Sequence, residues 1–499
     1  MIELSLAEIA EIVGGTLSEV RDPEQTITGS VEFDSRKISP GDLFVALPGA
    51  RVDGHDYAAQ AVLESGAVAV LAARPVGVPA IIVEPHGPAG GNAEAFAHDE
   101  DGSATAVIEA LSALAREVVR RLTAGGLTVI GVTGSAGKTS TKDLIASVLS
   151  SSGPTVAPPG SFNNELGHPY TALRCTESTR YLVAEMSARG IGHIAHLARI
   201  APPSIGVVLN VGSAHLGEFG SRKNIAQAKG ELVEALPAEG VAILNADDPF
   251  VITMSERTSA QVCRYSTATP PATDADIYAS DIALDDITRP SFTLHAPGQD
   301  PTRIALNVFG EHQVSNAVAA AAVGLHCGMS IAEVAEALER HRPASAHRMD
   351  VTTRADGVTV INDSYNANPE SMRAGIAALA YTASARPEAR SVAVLGEMGE
   401  LGEDAAAAHE AIAEDLARYR IDVLLTVDPH DGECCRAMRE AAAARGITTE
   451  IATSVDEAAE YLDDRLRPRD VVLVKASNAQ RLWRVAEALL AEDDEEPTK

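Results

Sequence analysis

At 499 residues the chain is too long for one hydrophobic core, so two or three domains are expected. An apolar share of 45% with 4% aromatics suits an alanine-rich α/β protein, and no uninterrupted apolar run reaches membrane-spanning length. The formal charge of -30 argues against a nucleic-acid partner, whose binding rests on phosphate neutralisation, but not against a nucleotide in a local cradle.

Cys175, Cys263, Cys327, Cys434 and Cys435 are scattered without metal-ligand spacing, which fits a reducing compartment and no disulfide framework. Met1 to Glu8 carry acids and no basic stretch, unlike a secretory signal. A cytoplasmic protein without membrane insertion is expected, and a monomer is its expected state.

Residues 1–103 read as a small α/β domain. The polar turn from Asp34 feeds an apolar strand ending near Pro48, and Asp53-Gly-His-Asp-Tyr57 opens a helical pattern over Ala58 to Ser65. Arg36, just before that strand, reads as a surface charge or an anion contact. His86 to Ser103 is rich in turn residues and acids, the composition of an exposed loop or linker. From Ala104 the period becomes helical, with Val107, Ile108, Leu111, Leu114, Ala115, Val118 and Leu122 on one face, and Gly125-Gly126 stops it.

A largely β-branched run, Thr128 to Val132, then breaks into a glycine turn (Gly134, Gly137) followed by Lys138, Thr139 and a helical stretch from Ser140 to Leu149. Strand, glycine loop, Lys-Thr and helix form a phosphate cradle: backbone N–H groups converge on phosphate oxygens at a helix N-terminus. Lys138 reaches the terminal phosphates and the Thr139 hydroxyl holds Mg²⁺. The usual first glycine is Val132 here, with Gly131 one step early. A nucleoside triphosphate is the ligand that this segment implies.

Strands and helices alternate from there to about residue 341, as in a parallel sheet with its crossovers. Tyr181 to Glu185 ends in an acid, and Ile205 to Asn210 runs into Gly212-Ser-Ala-His215; polar strand ends of this kind can share one crevice with Lys138. Residues 342 to 490 repeat the alternation as a separate doubly wound domain, with strands at Ser391–Leu395, Asp422–Val427, Thr449–Ala452 and Asp470–Lys475. Helices are expected near 404–418, 433–444, 455–465 and 480–490, and the tail from Glu492 reads as disordered. The fold class is therefore α/β in three domains, at 1–103, 104–341 and 342–499: a small N-terminal one, a central P-loop mononucleotide-binding one and a C-terminal Rossmann-like one.

Taken together, the motifs resemble the Mur ligase family of peptidoglycan synthesis over nearly the whole chain. They run in order through Asp34-Ser-Arg36, Asp53-Gly-His55, Thr133-Gly-Ser-Ala-Gly-Lys-Thr139, Phe162-Asn-Asn-Glu-Leu-Gly-His-Pro169, Ala228-Lys-Gly-Glu231, Gly310 to Asn316 and His347-Arg348. Asp363-Ser-Tyr-Asn-Ala-Asn-Pro-Glu-Ser-Met372 is similar to the branch that joins D-alanyl-D-alanine to UDP-N-acetylmuramoyl-tripeptide (UDP-MurNAc-tripeptide), and Leu395 to Gly402 with His409 agrees. Lys475-Ala-Ser-Asn478 departs from the family's Lys-Gly-Ser-Arg, with Arg481 nearby.

The resemblance implies an ATP-dependent amide ligase that makes the pentapeptide precursor through an acyl phosphate. It implies ATP contacts from Thr133, Gly134, Ser135, Ala136, Gly137, Lys138, Thr139 and Ser140, from His312 and Asn316 beside the base, and from Arg348 and Asp363 in the third domain. Glu185 with Thr139 suits a first Mg²⁺. Lys229, converted by CO₂ to a carbamate, and His215 suit a second; on the residues alone a solvated lysine is the better reading, and the resemblance reverses it. With Lys138, Glu185, His215 and Lys229 form the implied catalytic set. Ser35, Arg36, Asn163 and Asn164 are implied contacts of the UDP-substrate, although turns favour Asn for local bonding too. Tyr365, Asn366 and Asn368 stand where dipeptide choice should reside, and turn chemistry accounts for them equally. The alternatives are a sibling ligase, a folylpolyglutamate synthetase and a P-loop regulator that does not ligate.

Overall fold

The computed structural model describes residues 1–49, 52–87, 99–213, 216–343 and 345–491, so most of the turn-rich segment after His86, the acidic tail and His215 lie outside the described residues. The cradle strand Thr128–Thr133 sits inside a sheet, paired in parallel with Tyr181–Glu185 on one side and Ile205–Val208 on the other. Both faces of these strands are buried, which explains their near-continuous Val, Ile and Leu runs. The parallel part runs on from Ile205–Val208 through Val241–Asn245, Gln261–Ser266 and Ile277–Leu284.

The far edge differs from a pure crossover sheet. Ile277–Leu284, Pro290–His295 and Thr302–Ala305 pair antiparallel. Their connections are short loops, and a loop too short to hold a crossover helix can only reverse the chain. In register terms Asp285 to Arg289 closes one hairpin, with the Asp285 carboxylate accepting the Ile287 and Arg289 N–H groups.

The third sheet has the order Asp350–Thr353, Thr359–Asn362, Val471–Lys475, Ser391–Leu395, Val423–Val427 and Thr448–Ala452, parallel except for its first strand. Helices Ala405–Arg418, Glu433–Ala444, Val455–Arg465 and Trp483–Ala491 fall where the helical periodicity placed them. The first sheet is small, built from Val31–Glu32, Leu43–Val45, Ala69–Ala72, Ala80–Ile82 and Thr16–Ser18.

Helix Ser103–Ala124 ties the first sheet to the second. The carboxylate of Asp99 caps it by accepting the N–H groups of Ala104 (2.8 Å) and Thr105 (2.9 Å). Its apolar face belongs to a core cluster that also contains Leu6 and Ile9 of the first unit and Ile194 and Leu232 of the second. The N-terminal unit is therefore packed on the central one rather than hung from a free linker.

Candidate active site

The glycine turn works because its neighbours leave no room for side chains. Gly137 has φ +81, and a Cβ there would stand 2.7 Å from Asn316 Oδ1. A Cβ on Gly134 would stand 2.9 Å from that of Leu209. Asn210, at the end of the neighbouring strand, holds the turn: its Oδ1 accepts the N–H groups of Ser135 (3.0 Å) and Ala136 (2.9 Å), and its Nδ2 donates to Ala136 O (3.1 Å). Helix Lys138–Ser150 follows, and the N–H groups of Gly137, Lys138 and Thr139 have no acceptor among the described residues. The Lys138 ammonium donates to Gly134 O at 2.8 Å. Burial pushes its pKa down, with the Glu185 carboxylate opposing.

Glu185 ends its strand 1% exposed and is held on both oxygens. Thr139 Oγ1 donates to Oε2 at 2.9 Å, and Asn163 Nδ2 donates to Oε1 at 2.7 Å. Thr139 Oγ1 also lies 3.2 Å from Ser161 Oγ. These are hard oxygen donors, the set that Mg²⁺ takes when phosphate and water complete its shell. Among the described residues no three His, Cys, Asp or Glu side chains converge as a ready metal cage.

The opposite wall comes from the third sheet. Arg348 Nη2 donates to Ser161 Oγ at 2.9 Å and its guanidinium lies 4.1 Å from the Tyr365 ring centroid. Its Nε is buried and has no hydrogen-bond partner among the described residues. Asp363 Oδ1 accepts the Met349 N–H (3.2 Å), and Lys475 Nζ donates to its Oδ2 (2.7 Å). Between the walls lies a cavity of about 480 Å³, whose lining includes Lys138, Thr139, Glu185, His312, Asn316, Arg348, Asp363 and Tyr365. Desolvation lowers the pKa of His312 and favours its neutral ring.

The expected asparagines carry structural bonds and still line the cavity. Asn164 Oδ1 accepts the Gly167 N–H (2.8 Å), Asn366 Oδ1 accepts the Ala367 N–H (2.9 Å), and Asn368 caps helix Pro369–Ser384 through the Ser371 N–H (2.8 Å). Turn chemistry and cleft position are thus both present. Ser35 and Arg36 do not line this cavity. Arg36 is 87% exposed and grips Asp34, which is drawn down to about 2 chiefly by that bond. Their domain reaches the cleft through Phe33, whose ring packs on Tyr170 (5.0 Å) and Phe162 (6.4 Å), next to Asn163.

Lys229 lies on helix Arg222–Glu234, 4% exposed and outside the cavity lining. Burial, reinforced by the Lys138 charge, pushes its pKa well below the ordinary lysine value. Two residues on, the carboxylate of Glu231 accepts the N–H groups of Gly192 (2.5 Å) and Ala195 (3.0 Å), fixing the helix His193–Ile200 behind the site. Ser161, Asn210, Glu370 and Lys475 were not singled out as site residues by sequence reasoning. Glu370 lies within the Asp363–Met372 motif, Lys475 in the departing segment and Asn210 at a polar strand end, whereas Ser161 carries no signal.

Comparison with known proteins gives the family. Residues 132–324 match the family profile described as "Mur ligase middle domain", 347–478 that of the "Mur ligase, glutamate ligase domain", and 28–118 that of the "Mur ligase family, catalytic domain". A UDP-N-acetylmuramoyl-tripeptide–D-alanyl-D-alanine ligase of Mycobacterium tuberculosis is 54% identical, with 99% of each chain covered. The Bacillus subtilis ligase of the same name is 31% identical, covering 98% of this chain and 99% of that one. MurF from Acinetobacter baumannii superposes with TM-score 0.80 at 28% identity, covering 98% of each chain. MurF of Thermotoga maritima, solved in complex with ADP, gives TM-score 0.74 at 29% identity, covering 93% of this chain and 97% of that one. The chain belongs to the Mur ligase family of ATP-dependent amide ligases, and matches end to end its members named UDP-N-acetylmuramoyl-tripeptide–D-alanyl-D-alanine ligase.

Proposed function

We propose that the protein joins D-alanyl-D-alanine to UDP-MurNAc-tripeptide in the cytoplasm, forming the pentapeptide precursor of peptidoglycan. The observation that carries this is the single cavity in which the Lys138–Thr139 cradle of one sheet faces Arg348, Asp363 and Tyr365 of another. A carboxylate is a poor acyl donor, so the tripeptide's terminal oxygen attacks the γ-phosphorus of ATP and ADP leaves. The dipeptide amine then attacks the acyl carbon, and collapse of the tetrahedral adduct expels phosphate and forms the amide. The protein's contribution is positioning and charge neutralisation.

In this reading Lys138 and Arg348 neutralise phosphate oxygens from opposite walls of the cavity. His312 and Asn316 flank the base, beside the cradle. Thr139 and Glu185 hold Mg²⁺, which supplies charge neutralisation at the phosphates. Asn163 keeps the Glu185 carboxylate turned toward that role, and with Asn164 it faces the UDP-substrate arriving from Ser35 and Arg36. Tyr365, Asn366 and Asn368 meet the dipeptide.

Burial also gives Lys229 the neutral amine that attack on CO₂ requires; the N–C bond forms, a proton leaves, and the cation becomes a carbamate that with His215 suits a second Mg²⁺. Lys229→Ala is expected to lose most activity and regain part of it with added short carboxylates. Full activity in that variant would end the carbamate reading.

The decisive assay is phosphate release with and without each substrate. Release that requires both UDP-MurNAc-tripeptide and D-alanyl-D-alanine supports the proposal; release independent of the dipeptide excludes it, and a sibling ligase would respond to another amino acid.

A further inference from the structure

Lys475 ends the strand Val471–Lys475, which lies between Thr359–Asn362 and Ser391–Leu395 in the third sheet. Both flanking ladders are completed around it: the Asp363 N–H donates to Val474 O (2.9 Å) and the Gly396 N–H to Lys475 O (3.0 Å). Its backbone is therefore fixed, and its side chain, 1% exposed, turns toward the next segment rather than to water. A lysine so placed is costly unless its donors are met, and here three oxygens meet them. Nζ donates to Asp363 Oδ2 (2.7 Å), Asp363 O (3.2 Å) and Asn366 O (2.8 Å). The stem is backed by Gly375, where a Cβ would stand 3.3 Å from Lys475 Cδ.

We propose that Lys475 is a positioning residue, whose ammonium ties Asp363 and Asn366 into one turn and so sets the nucleotide contact and the dipeptide wall together. The turn it closes carries Tyr365, on whose ring Arg348 rests. The other carboxylate oxygen of Asp363 accepts the Met349 N–H, next to Arg348. One buried charge thus fixes the Asp363 carboxylate and the Asn366 main chain, in the turn assigned to two substrates. This rests on the reading of the cleft given above.

The test compares wild type, Lys475→Met, Lys475→Gln, Asp363→Asn and the Lys475→Met/Asp363→Asn pair. ADP binding is followed by calorimetry, and KM for ATP and D-alanyl-D-alanine by phosphate release. Wild type comes first: if its phosphate release ignores the dipeptide, the functional reading fails before Lys475 is involved. Given a working wild type, folded Lys475 variants are expected to raise both KM values and the ADP dissociation constant on the order of 10- to 100-fold, with kcat changed less. The double variant should be no worse than the poorer single one, because both act through one contact. Unchanged KM values in a folded variant, or additive losses in the pair, would overturn the proposal. So would failure of both Lys475 variants to fold, which would make the residue one of fold rather than of position.

Discussion

The two walls of the cleft are built in opposite ways. The cradle at the heart of one wall is contiguous: Thr133 to Ser140 supply glycine turn, lysine, threonine and helix N-terminus in one stretch, with Asn210, Glu185, Ser161, Asn163 and Asn316 set around it. The facing wall gathers Arg348, the Asp363–Asn368 turn and Lys475 from distant parts of the chain, joined by side-chain bonds. The two domains meet through polar contacts, among them Arg348 to Ser161, Ser345 to Asp143 (2.7 Å) and the Ser213 N–H to Glu370 (2.9 Å), and through Phe309, which packs on the third domain's core. A wall made locally can be complete before the other arrives. The second exists only once the third sheet has formed and docked.

The largest expected effect separates the walls by chemistry. Lys138→Ala is predicted to lower kcat on the order of 10²- to 10³-fold in steady-state phosphate release, since it removes charge neutralisation made in the transition state. A loss confined to KM would place the lysine's role in ground-state binding instead. Arg348→Lys keeps the charge but loses the planar stacking on Tyr365 and the fork, and KM for ATP should rise about tenfold. Equal KM values would show that the far wall does not reach the nucleotide.

A smaller effect is expected from the seam. Glu370→Ala removes the acceptor for the Ser213 N–H and hydroxyl. It should widen the ligand-free particle in solution scattering and weaken ADP binding by about threefold, the scale of one polar contact. A profile identical to wild type would mean that this bond does not hold the sheets together.

An effect on stability alone, with none expected on turnover, lies outside both walls. His168, 2% exposed, has its pKa lowered to about 4 from 6.5 by burial. The unfolded chain therefore takes up this proton first: the group's contribution is complete above about 6.5 and is lost as pH falls from there toward 4. His168→Gln should flatten that part of the stability–pH curve measured by denaturant titration, and an unchanged slope would assign it to other groups.

The same contrast governs what could be read in advance. The strand–helix alternation of the central and third domains, the cradle and most third-domain helices follow from local period and turn residues. The antiparallel edge beyond Ile277 did not, because the alternating pattern of a strand does not state its partner's direction. Ser161 sits in no motif, and its role arises only where Thr139 and Arg348 approach it. The asparagines could not be divided between turn and ligand by residue type, and the fold assigns Asn164, Asn366 and Asn368 a local bond while leaving all three on the cavity.

The sequence by itself determined the strand–helix alternation and the phosphate cradle, because these rest on interactions within a few residues: side-chain period, glycine conformational freedom and N–H groups at a helix start. Only the tertiary structure decided the partners of Glu185, the reach of Arg348 and the closure of Lys475 on Asp363 and Asn366. Those contacts join residues far apart in the chain, and their geometry is set by strand order and by the docking of one sheet on another, which no local pattern encodes.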